Sequence, residues 1–69
     1  MDFKATQTRA NNISEMNFTN QLSTEKAWLM KTMKEYQNEF GYADQYEWDS
    51  EEATTWAFLL DALRTIEII

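Results

Sequence analysis

The stretch Ser23–Gly41, S-T-E-K-A-W-L-M-K-T-M-K-E-Y-Q-N-E-F-G, decides the fold. Leu29, Met30, Met33, Tyr36 and Phe40 recur at steps of three and four, the spacing that sets side chains on one face of an α-helix. The stripe predicts a helix from Thr24 to Phe40. Ser23 suits its N-cap, because a short hydroxyl there can accept from an orphan backbone N–H. Glu25 lies in the first turn, where the helix dipole favours negative charge. Gly41 follows where a left-handed residue is expected to end the helix.

Towards the C-terminus, a second helix is expected from Ser50 to Ile66. Asp49 can cap it, with Glu52 three residues on as in a capping box. Its apolar pattern is wide. Ala53, Trp56, Ala57, Leu60 and Leu63 make one face, while Leu59, Ala62, Ile66 and Ile69, with Phe58 beside them, make a nearly opposite one. Only a narrow strip around Thr54, Asp61 and Thr65 is polar. A helix apolar nearly all round is buried on several sides. The pattern therefore predicts either a central place in the domain or contact with a second copy, in a homodimer seam formed by Phe58, Leu59, Ala62, Ile66 and Ile69.

In the N-terminal direction, Phe3, Ala10 and Ile13 could line a helix from Phe3 to Met16, although the run from Gln7 to Asn12 is polar. The chain has no proline and one glycine, too few turn formers for a β-rich fold of this size. The expected class is mainly α: one domain over residues 1–69, a small bundle of two to three helices. Loose alternation in residues 42–48 and the isoleucines of Ile66–Ile69 leave room for a short β-pair.

Composition narrows the chemistry. The 69 residues include no cysteine and no histidine, which removes disulfides, thiolate metal sites and the commonest general base. No nucleophile elbow or glycine-rich phosphate loop is present. Loops starting at Asp44 or Glu47 fail the calcium pattern, because Tyr46 and Trp48 occupy ligand positions in the first and Glu52 replaces the glycine in the second. No enzyme activity, cofactor or metal is expected. The opening Met1-Asp2-Phe3-Lys4 does not read as a secretory signal. No window approaches the ~20 apolar residues of a membrane span. A cytoplasmic protein with no membrane association is expected.

Charge is the most informative feature. The net charge is −6, unevenly spread. Residues 1–34 carry five bases against three acids, and residues 35–69 carry nine acids against one base, Arg64. Between Glu35 and Glu52 lie seven acids and no base: Glu35, Glu39, Asp44, Glu47, Asp49, Glu51 and Glu52. Tyr36, Tyr42, Tyr46 and Trp48 are interleaved with them. An acidic surface repels nucleic acid and draws basic protein surfaces towards it, and aromatic side chains supply short-range anchoring. One reading is thus a docking site for a basic patch, including a patch that otherwise holds nucleic acid, with the carboxylates standing in for phosphates. The other reading is solubility and helix capping, with Tyr42, Tyr46 and Trp48 tucked under the loop. Trp28 also stands out, since it points away from the Leu29–Phe40 stripe among polar neighbours. It reads either as part of the partner-binding surface or as a ring covered by Phe3, Ile13 or Phe18 of the N-terminal segment.

In size, charge and aromatic content the chain is similar to small acidic proteins of phages and other mobile elements that block host enzymes by occupying their surfaces. The likeness rests on no motif and assigns no residue a role. It implies an inhibitor or regulator with a basic protein partner. A structural subunit that assembles through its C-terminal helix is the alternative.

Overall fold

The computed structural model describes residues 2–15 and 22–68. It is a bundle of three helices, α1 (Phe3–Ser14), α2 (Leu22–Phe40) and α3 (Glu51–Ile68), with one 3-10 turn at Ala43–Gln45. No strand occurs among the described residues, so the β-pair is not formed. Residues 43–45 coil into the 3-10 turn and 66–68 continue α3.

Each helix end has a local cause. Asp2 caps α1, its Oδ1 accepting from the Ala5 N–H at 3.1 Å. α2 begins at Leu22, which places Ser23 inside the helix rather than at its cap. Gly41 ends α2 as expected, at φ 85, with its N–H donated to the Gln37 carbonyl at 2.9 Å. A Cβ at Gly41 would meet only the movable end of the Gln45 side chain, so it is the positive φ that favours glycine there.

The cap of α3 is Ser50, not Asp49. The Ser50 hydroxyl oxygen accepts from the Ala53 N–H at 3.1 Å, and its proton goes to the Glu47 carbonyl at 2.8 Å. Asp49 instead takes φ 64 in the turn that delivers the chain to the helix. Aspartate tolerates that left-handed region better than most residues. Adjacent aspartate and serine are both good caps, so the expected cap at Asp49 was one residue early.

The core comprises Ala10 and Ile13 from α1, Leu29 and Tyr36 from α2, and Trp56, Leu59, Ala62 and Ile66 from α3. α3 is the central element, packed on α1 over a longer contact than on α2. That placement accounts for its wide apolar pattern. Leu59, Ala62 and Ile66 are buried inside the chain's own core and are not available as a seam; Phe58 is half-buried against that core. Ile69, the remaining seam residue, and Phe18 lie outside the described residues.

Tyr36 is the hub of the aromatic packing. Its ring centroid lies 4.7 Å from that of Phe40, 5.6 Å from Trp56, 5.8 Å from Tyr46 and 6.4 Å from Phe3. Such stacked, tilted and edge-on pairs contribute beyond area burial, on the order of 1 kcal/mol each. The Tyr36 hydroxyl donates to the Glu52 carbonyl at 2.6 Å, joining α2 to the first turn of α3. On the other side, the Gln7 amide donates to the Thr55 hydroxyl at 2.8 Å and to a Glu51 carboxylate oxygen at 3.2 Å, tying α1 to the same turn.

Candidate functional site

The acidic segment is built from the last turns of α2, the connection 41–50 and the first turn of α3. The fold therefore gathers Glu39, Asp44, Glu47, Asp49, Glu51 and Glu52 at one end of the bundle, with Glu35 one helical turn further back on α2. Glu52 is half-buried and the other acids are exposed.

The three loop aromatics divide. Tyr46 turns inward. Its ring packs against Tyr36 and Trp56, and its hydroxyl donates to the Gly41 carbonyl at 2.7 Å. Tyr42 is 65% exposed and Trp48 is 97% exposed. The expectation that all three tuck under the loop thus holds for Tyr46 alone.

Glu39, Glu47 and Glu52 rim a depression of about 440 Å³ whose walls include Phe40, Tyr46 and Ser50. Among the described residues no acidic side chains converge closely enough to hold a metal ion. The phenols beside this rim stay protonated. Burial first, then the nearby Tyr46, Glu52 and Glu39, pushes Tyr36 up to about 12. Burial and Glu52 raise Tyr46. Both hydroxyls therefore act as hydrogen-bond donors in the physiological range, not as phenolates.

Beside Trp48 lies a second, smaller hollow of about 220 Å³, bounded by Trp48, Asp49, Ala53, Thr54 and Ala57. Ala53 and Ala57 were legible only as part of the wide apolar pattern of α3. Nothing in that pattern told them apart from the core positions Trp56 and Leu59.

Trp28 is separated from this end. It is half-buried and packs against the core. α1 does cover it, but through Arg9, whose guanidinium carbon sits 4.6 Å from the ring centroid. Arg9 is itself held by Glu25 in a two-pronged pair, with both N···O distances 3.1 Å. Arg9 had no part in the sequence reading, because a contact sixteen residues from Glu25 leaves no trace in helical spacing.

Among the described residues no helix is long and apolar enough to cross a membrane. No protein-family model, curated protein or solved structure matches the chain. The class that can be stated is that of a small three-helix bundle with an acidic, aromatic-bearing end.

Proposed function

We propose that the chain is a non-enzymatic interaction module of the cytoplasm, an inhibitor or regulator, whose acidic end docks on a basic surface of a partner protein. The observation that carries this reading is Trp48, 97% exposed in a segment that holds seven acids and no base. A large ring held in water is costly unless something covers it. The excess of carboxylates along the segment favours a cationic cover and speeds encounter with one. A partner surface that ordinarily holds nucleic acid meets this description, and the chain would then compete with phosphates for it. The same acidity disfavours direct binding of the chain to DNA or RNA.

The test is affinity capture from the native host, with the partner identified by mass spectrometry. Capture is expected at low salt and lost at about 0.5 M, where the screening length falls well below its ~10 Å value at 0.1 M. Reversing Glu47, Asp49 and Glu51 to lysine should abolish capture while helicity is retained. Undiminished capture by that triple variant would remove the acidic end from the account.

A further inference from the structure

The hollow beside Trp48 adds a requirement that charge alone does not impose. Ala53 and Ala57 stand one turn apart on α3, so their methyls form a shallow floor on a single face. Ala57 and Thr54 are exposed, and Trp48 rises along one side with its ring open to solvent. At about 220 Å³ the hollow falls below the ~300 Å³ at which small-molecule pockets begin, so it suits one protruding side chain. The surroundings are acidic. Asp49 forms part of the wall, Glu47 and Glu51 flank it along the chain, and the one base on α3, Arg64, lies 3.9 Å from Asp61.

We infer that this hollow receives a bulky apolar side chain from a basic amphipathic helix of the partner, with the lysines or arginines of that helix facing Asp49 and its acidic neighbours. The inference rests on the docking reading above and specifies its ligand. Small residues on α3 let a second helix approach closely, and an apolar anchor seated against Trp48 gives the short-range contact that helix-in-groove recognition uses. Charge selects the occupant. A second copy of this chain carries net −6 overall, so long-range repulsion opposes its approach, as it does that of an anionic membrane surface.

The test uses the full chain and two synthetic peptides of equal length and charge. One places leucines at helical spacing among lysines, and the other replaces every leucine with serine. Binding is followed by the indole N–H resonance of Trp48, identified by its loss in Trp48→Ala. The leucine peptide should bind at least about tenfold more tightly and shift that resonance, tenfold corresponding to one well-seated anchor. In Trp48→Ala, and in Ala57→Gln, which fills the floor at an exposed helical position without adding charge, the preference should shrink to about twofold or less.

Equal binding of the two peptides, or a preference unchanged in both variants, would overturn the inference. If the serine peptide binds equally well and loses binding when Glu47, Asp49 and Glu51 are reversed, the docking reading survives and only the hollow is rejected. If neither peptide binds, both fail. A dimer abolished by Trp48→Ala would make a second copy the occupant, and a Trp48 shift with phosphatidylcholine vesicles would make it a lipid surface; either overturns the assignment.

Discussion

Trp28 and Trp48 are both tryptophans set among charged residues, and the fold treats them in opposite ways. Trp28 meets a cation from its own chain: Arg9 lies over the ring and Glu25 holds Arg9 in place. Charge and ring are satisfied internally, and the ring is half-buried. The hollow beside Trp48 is lined by Asp49, Ala53, Thr54 and Ala57, with no base among them. Among the described residues Asp44, Glu47 and Asp49 make no ion pair with a base, and the ring is almost wholly in water. The two sites thus differ in whether the chain supplies its own cation. Where it does, the result is structure. Where it does not, the surface is left complementary to a basic molecule.

The widest separation between closed and open parts is expected in stability. Leu59 is fully buried at the centre of α3. Leu59→Asp removes packing worth roughly 2–5 kcal/mol and adds a carboxylate with no partner. A domain of this size holds only a few kcal/mol in total. The variant should therefore lose its helical circular dichroism at 25 °C. A folded variant would return Leu59 to the surface and reopen the homodimer seam.

A smaller loss is expected at Tyr36. Tyr36→Phe leaves the Glu52 carbonyl without its 2.6 Å donor, at a cost of about 1–2 kcal/mol. The pH dependence has a definite sign. Burial holds the Tyr36 hydroxyl protonated to about 12, while in the unfolded chain it ionises near its ordinary 10.0. Above pH 10.0 the unfolded state sheds this proton first, so stability declines from there towards about 12. Melts across that window should show the decline in the parent chain and a shallower one in Tyr36→Phe. Equal slopes would mean that Tyr36 is not the group responsible.

These core predictions draw on what the sequence made legible. Leu29, Tyr36 and Gly41 marked α2 and its end, and the encircling apolar pattern of α3 called for either the middle of the bundle or a second copy, of which the fold takes the first. What was not legible depends on distant contacts. Helical spacing put Met30 on the core stripe, yet Met30 is 42% exposed and Thr32 is buried. The stripe on α2 is rotated towards Glu25 and Trp28, the side on which Arg9 arrives from α1. Likewise, period and charge marked the acidic connection as one unit, but could not separate the inward Tyr46 from the outward Tyr42 and Trp48. That division follows from the Tyr46 hydroxyl reaching the Gly41 carbonyl, a loop geometry with no periodic signature.

The closed site can be opened by one change. Arg9→Ala removes the cover of Trp28 and the partner of Glu25. Arg9 is partly in solvent, so the ion pair and the ring contact together should be worth only about 1 kcal/mol. The sharper readout is access to the ring. Acrylamide should quench the variant more strongly than the parent. Trp48→Ala serves as the background for that measurement, since it removes the one exposed tryptophan. Unchanged quenching would show that the rest of α1 shields Trp28 without Arg9.

The smallest expected effect on stability is the most telling. Trp48→Ala should shift the unfolding free energy by no more than about 0.5 kcal/mol, the range for surface residues without structural partners. At 97% exposed, the ring touches too little of the fold for its loss to matter. A loss of 2 kcal/mol or more, the scale of a buried aromatic, would mean that Trp48 packs against the fold in solution. The site would then be closed like that of Trp28, and there would be no open ring for a partner to cover. A near-zero shift leaves Trp48 without a structural duty, so that any large effect of the same substitution on peptide binding belongs to recognition and not to folding.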